Sequence, residues 1–229
     1  MKFVKLFGAT LVAACALVAV VAASAFALPT ILPEGAQNWT GAATSRTKLA
    51  RQGGLAAVEC ARAKGEGNTQ AGKPLGEYHI TFEECAAAGG ACTGLSDRAG
   101  TILALGEWHL VFDTLKAQLS EAGVSILFLV NEVHLECNIP LLGKQLETVF
   151  SGGMVLCLVE NPTALTKTFE FKCKEKGTNK PELTKYYNNA GALVNITALK
   201  SSENEGTQAE AVQVGNWTVT YENAVLLML

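Results

Sequence analysis

Apolar side chains recur at every second position through most of this chain, and that period sets the fold class before any motif is considered. Tyr78, Ile80 and Phe82 share one strand face, as do Trp108, Leu110 and Phe112, then Phe169 and Phe171, and finally Trp217, Val219 and Tyr221. Successive strand side chains point to opposite sides of a sheet, so each run is a strand with one face in a core and the other in water. Between the runs lie Lys64-Gly65-Glu66-Gly67-Asn68, Ala88-Gly89-Gly90, Gly152-Gly153, residues 176–181 and Asn188-Asn189-Ala190-Gly191. Gly and Asn permit positive φ there and Pro removes a donor, which cuts the chain into many short strands. Asp113 to Glu121 lacks alternation and is made of good helix formers, so one short helix over 113–121 is the expected exception. No charge shift, Pro-rich tract or Gly/Ser linker interrupts residues 55–229. They read as one all-β domain, a single antiparallel β-sandwich or flattened barrel. Residues 28–54, rich in Pro, Gly, Thr and Ala with little periodicity, read as an extended lead-in with room to pair at its end.

The first 27 residues have a different logic. Lys2 and Lys5 give a positive start, no charge occurs from Leu6 to Leu28, and Ala25-Phe26-Ala27 offers the small-x-small pattern accepted by signal peptidases. Residues 1–27 therefore read as a signal peptide for the general secretory route, and the protein as secreted or held in the cell envelope. Two alternatives keep the chain at a membrane: retention of the segment as an anchor, or acylation at Cys15 of the lipobox-like Leu11-Val12-Ala13-Ala14-Cys15. Without the signal, and so without Lys2 and Lys5, the 18 basic residues become 16 against 21 acidic ones. A mildly acidic surface with no basic patch argues against nucleic acid, which rewards concentrated Lys and Arg.

Six cysteines remain in the exported part: Cys60, Cys85, Cys92, Cys137, Cys157 and Cys173. None forms a Cys-x-x-Cys pair, so disulfides explain them better than a metal or redox motif. Fifteen connectivities are open to six cysteines, and strand parity narrows them. Cys60 shares a face with Val58, and Cys137 with Val133 and Leu135, which favours a bond between them across the core. Cys157 aligns with Val155 and Val159, and Cys173 with Phe169 and Phe171, which favours a second. Cys85 and Cys92 are then left to close the loop between them.

One internal echo bears on function. Gly76-Glu77-Tyr78-His79-Ile80-Thr81-Phe82-Glu83 and Gly106-Glu107-Trp108-His109-Leu110-Val111-Phe112-Asp113 match in type at every position, and Glu132-Val133-His134-Leu135 is a shorter copy. Each histidine follows a glutamate by two residues, so each pair shares the polar strand face. Were the three strands neighbours in a suitable register, His79, His109 and His134 could converge with Glu77, Glu107, Glu132 or Asp113 on zinc, or His109 and Asp113 could act as acid and base. The plainer reading is a set of solvated strand faces with weak cross-strand pairing.

Other motifs fall away. Ser45-Arg46-Thr47-Lys48 fits Ser-x-x-Lys, but Ser96-Asp97 is followed by Arg98 and no Lys-Thr-Gly strand occurs. Gly65-Glu66-Gly67 lacks a third glycine and a following helix. Asn38-Trp39-Thr40, Asn195-Ile196-Thr197 and Asn216-Trp217-Thr218 are formal glycosylation triplets, relevant only on a eukaryotic secretory route.

Glu59-Cys60, Ile80-Thr81-Phe82-Glu83-Glu84-Cys85, Trp108-His109-Leu110-Val111-Phe112-Asp113, Val133-His134-Leu135-Glu136-Cys137 and Phe169-Glu170-Phe171 together resemble a group of uncharacterised exported proteins common in soil actinobacteria of the Solirubrobacter kind. The resemblance covers most of the exported chain and implies a compartment and a β fold, with no assigned activity. Cys157 and Cys173 are extra to the common pattern. Three functional classes follow: a non-enzymatic envelope or extracellular module that binds a surface ligand or has a structural part, a zinc-type enzyme or metal-binding protein using the Glu-x-His strips, and a carrier holding an apolar ligand inside a barrel.

Overall fold

A computed structural model describes residues 30–228 except 55, 72, 96, 114–122, 141–143, 161, 163, 176–183 and 188–192. The export segment and the body of the expected helix lie outside the described residues. In chain order the strands are β1 (Thr30–Leu32), β2 (Gln37–Ala43), β3 (Thr47–Arg51), β4 (Val58–Thr69), β5 (Leu75–Ala87), β6 (Gly90–Gly94), β7 (Thr101–Asp113) and β8 (Gly123–Val130). They continue as β9 (Val133–Ile139), β10 (Lys144–Ser151), β11 (Gly153–Glu160), β12 (Thr166–Cys173), β13 (Lys185–Tyr187), β14 (Leu193–Asn195), β15 (Lys200–Glu203) and β16 (Ala209–Met228).

The fold is an antiparallel sheet that closes on itself twice, so the flattened barrel describes it better than two separate layers. One circuit runs β2-β4-β5-β7-β8-β11-β12-β16 and back to β2. The other runs β3-β4-β5-β6-β9-β10-β15-β16 and back to β3. The long strands β4, β5 and β16 belong to both. Their one end faces β2, β7 and β12, and their other end faces β3, β6 and β15. Closure removes the row of unpaired amides and carbonyls that an open edge would present.

The alternating residues fill the interior. Tyr78, Phe82, Trp108, Phe169, Phe171 and Trp217 are each at most 4% exposed. Phe171 stacks on Trp217 at 5.9 Å between centroids, and Phe128 meets Phe171 at 5.6 Å and the edge of Tyr78 at 5.2 Å. Such pairs add about 0.5–1.5 kcal/mol each beyond the area they bury. A cavity of about 20 Å3, room for a single water, lies among Tyr78, Phe82, Phe128, Phe171 and Trp217. A second, smaller cluster lies outside the barrel wall, where Ile196 covers Val111, Leu127 and Leu156.

The segment expected as a lead-in is wall. β2 is bonded to β16 on one side and β4 on the other, and its Trp39 is 6% exposed. Room for that indole comes from missing side chains: a Cβ on Gly67 would stand 2.4 Å from the Trp39 ring and 2.3 Å from the Glu77 carbonyl.

The disulfides correct two of the three expected pairings. Cys60 is bonded to Cys85 and Cys92 to Cys137, while Cys157 is bonded to Cys173 as strand parity suggests. All six cysteines do point inward, at 2% exposure or less. Facing the core is insufficient, because opposite walls stand about 10 Å apart and a disulfide reaches no farther than about 6.8 Å between Cα atoms. Neighbouring antiparallel strands bring opposed residues much closer, and the three bonds join Cα atoms 3.9, 4.0 and 4.3 Å apart. Closing loops of 25, 45 and 16 residues, each restricts the unfolded chain by about 3–4 kcal/mol.

Burial holds the hydroxyls of Tyr78 and Tyr221 protonated far above the ordinary phenol range. Tyr78 donates to the Leu129 carbonyl at 3.3 Å. Above about pH 10 the unfolded chain ionises these phenols while the folded chain does not, so the unfolded state binds fewer protons and stability falls as pH rises. Denaturant unfolding followed from pH 9 upward should show that decline at about pH 10 and above, and Tyr221→Phe should flatten it.

Candidate functional site

β5 and β7 are neighbours, as the sequence echo requires, but their register separates the histidines. Glu77 stands opposite Glu107, which puts His79 opposite Leu105 and His109 opposite Leu75. The two imidazoles are therefore offset by four residues along the strands, about 13 Å. His134 lies on β9 in the other circuit, opposite Val149. Asp113 ends β7 opposite Tyr186 and Gly123, away from β9. The three Glu-x-His pairs do share the outer, solvent-facing side of the barrel. His134 Nε2 lies 2.5 Å from a Glu132 carboxylate oxygen, and His109 Nε2 lies 3.7 Å from one of Glu107. Each pair is thus local. Among the described residues no three His, Cys, Asp or Glu side chains gather as a metal-holding group.

The same register that separates the histidines aligns a different set of residues. From β12 to β7, one row across the outer wall reads Thr168, Thr220, Thr40, Glu66, His79 and Leu105. The next reads Glu170, Thr218, Ala42, Lys64, Thr81 and Leu103. Between these rows the wall is hollowed into a groove bordered by Thr40, Thr218, Thr220, Lys64, Glu66 and His79. The hollow exists because small side chains line its floor: Ala42, Gly41 and Gly65 carry little or nothing to fill it. His79 borders two further depressions, one with Asn38, Glu66 and Asn68 and one with Leu105, Glu107 and Asn131.

The groove offers hydroxyls, one amine, one carboxylate and an imidazole in close order. The Thr168 and Thr220 hydroxyls sit 3.4 Å apart, and Lys64 Nζ is 3.8 Å from Glu83. Farther round the wall, the Lys172 ammonium bonds Glu160 at 2.6 Å, which lowers the Glu160 pKa and raises that of Lys172. Sequence reasoning found His79 but missed Thr40, Ala42, Lys64, Glu66, Thr218 and Thr220. The legible signal was that two glycosylation-like triplets, Asn38-Trp39-Thr40 and Asn216-Trp217-Thr218, each put a buried indole between outward polar residues.

No family model, curated protein or solved structure matches this chain. What fold and wall define is therefore a class: a disulfide-bonded antiparallel β barrel of the kind suited to oxidising, extracellular surroundings.

Glu77 and Glu107, both exposed, face each other directly, and like charges so placed destabilise a sheet by about 0.2–1 kcal/mol. Glu77→Gln should raise the unfolding free energy by about that amount in low salt, and the gain should shrink near 1 M salt, where screening acts within about 3 Å.

Proposed function

We infer that the protein is an exported, non-enzymatic binding module of the cell envelope or extracellular space, and that the outer groove of β16-β2-β4-β5-β7 takes its ligand. The carrying observation is the pair of aligned rows, which set Thr40, Thr218, Thr220, Lys64, Glu66 and His79 around a floor of small side chains on a wall braced by disulfides. A lining in which one ammonium balances one carboxylate among hydroxyls suits a neutral, hydroxyl-rich polymer such as an envelope glycan. A strongly charged ligand would leave one of those charges opposed. The apolar-carrier reading finds less support, because the cavity among Tyr78, Phe128, Phe171 and Trp217 in the barrel core has room for about one water. The zinc reading finds less support because the register staggers His79 and His109 and sets His134 on another circuit.

Co-sedimentation with purified peptidoglycan and with extracted envelope polysaccharide tests the assignment. The triple variant Lys64→Ala, Glu66→Ala, His79→Ala should lose at least about tenfold in affinity, the equivalent of 1.4 kcal/mol, with an unchanged unfolding temperature. Glu136→Ala, on the wall of the other circuit, should bind as the parent does. Equal binding by the triple variant, or no binding to any envelope fraction, would overturn the reading.

A further inference from the structure

The hollow in the outer wall is much longer in one direction than in the other. It reaches from Thr218 and Thr220 on β16, across β2, β4 and β5, to Leu103 on β7, four strand gaps or about 19 Å at the usual spacing. Along the strands it occupies the interval between the row of Thr40, Glu66 and His79 and the row of Ala42, Lys64 and Thr81, two residues or about 7 Å. Past the second row, Arg62 Nε lies 3.2 Å from a Glu83 carboxylate oxygen. Past the first, the Asn38 amide donates to Glu222 at 3.1 Å. Polar side chains tied to each other thus border both long sides, and a ligand that fills the hollow runs across the strands.

The chemistry changes along that axis. Hydroxyls line the β16 end, and Lys64, Glu66 and His79 stand in the middle. Both rows end on β7 in leucines, Leu105 opposite His79 and Leu103 opposite Thr81. These two are 38% and 40% exposed and share one strand face. The other large apolar side chains exposed among the described residues, Leu95, Leu165 and Leu193, belong to other parts of the chain. A leucine alone in water needs no explanation, whereas two side by side at the end of polar rows make an apolar step.

We propose that the site takes a linear, unbranched glycan lying across the strands, about four sugar units long, with its last ring seated on Leu103 and Leu105. This rests on the binding-module reading above and adds the ligand's shape, direction and length. An extended pyranose chain advances by about one strand spacing per ring, so four gaps take about four rings. Hydroxyls sit at the edges of each ring, where threonines, Lys64 and Glu66 pair with them. The C–H faces are apolar and leave water against the leucines. A branch has no place in a hollow one side-chain period wide.

Calorimetric titration with neutral oligosaccharides of two to six units, released by partial acid hydrolysis from the envelope fraction that sediments with the protein and sorted by size, tests the proposal. Affinity should rise at least tenfold from two units to four and stay within about twofold from four to six. Leu103→Asp should lower four-unit affinity at least fivefold, leave two-unit affinity within twofold, and keep the parent's unfolding temperature, since the side chain is exposed. Leu165→Asp, an equally drastic change at an exposed leucine outside the hollow, should bind every length as the parent does. If the polymer sediments but affinity does not grow with length, or if Leu103→Asp binds four units like the parent, the proposal is overturned and the glycan reading stands. If no envelope fraction sediments with the protein, both fall together.

Discussion

Everything else in this structure depends on the pairing of β16 along both of its edges. This strand of 20 residues bonds β12 on one side and β2 on the other, then extends past β2 to meet β3 and past β12 to meet β15. Without it both circuits would be open sheets, each with exposed edges ready to recruit another chain. With it, the inward residues of both circuits meet in one core that runs from Trp39 and Tyr221 to Leu135 and Phe150. Closure also explains why the disulfides fall between neighbours: a wall of paired strands offers opposed positions a few ångströms apart, whereas the core keeps opposite walls separate.

The groove is a by-product of the same closure. β2 is squeezed between β16 and β4, and its inward Trp39 fits only because Gly65 and Gly67 lie beneath the ring. Glycine on the inside and short residues on the outside make this sector of wall thin. Its outer surface is consequently hollow where the flanking strands carry Lys64, Glu66 and His79. The outer groove and the inner packing are thus two consequences of the same small residues.

The fold class was legible because most strands obey the simple rule that buried side chains alternate: β5, β7, β12 and β16 present their aromatic residues on schedule. β2 was not legible, since inward Gly41 breaks the apolar pattern after Trp39 and leaves a stretch that reads as loop. The polar echo around His79, His109 and His134 was real as a pattern and correctly placed on the outside. Its convergence was not legible, because register is set by partners far away in sequence: sliding β7 along β5 by a few residues would change which side chains meet without changing either strand's alternation. The cysteine pairing failed for a related reason. Parity tells which face a residue occupies, and the hairpin and neighbour relations that choose partners on that face come only with the topology.

Amide hydrogen exchange at residues 37–43 tests barrel closure most directly. If β2 is bonded to both β16 and β4, the amides from Trp39 to Ala42 should be protected to the same degree as those of β12, within about tenfold. Exchange there at the rate of an unstructured chain, with β5 and β7 still protected, would mean that the stretch is a lead-in after all, and the closed barrel, its groove and the account built on them would be wrong.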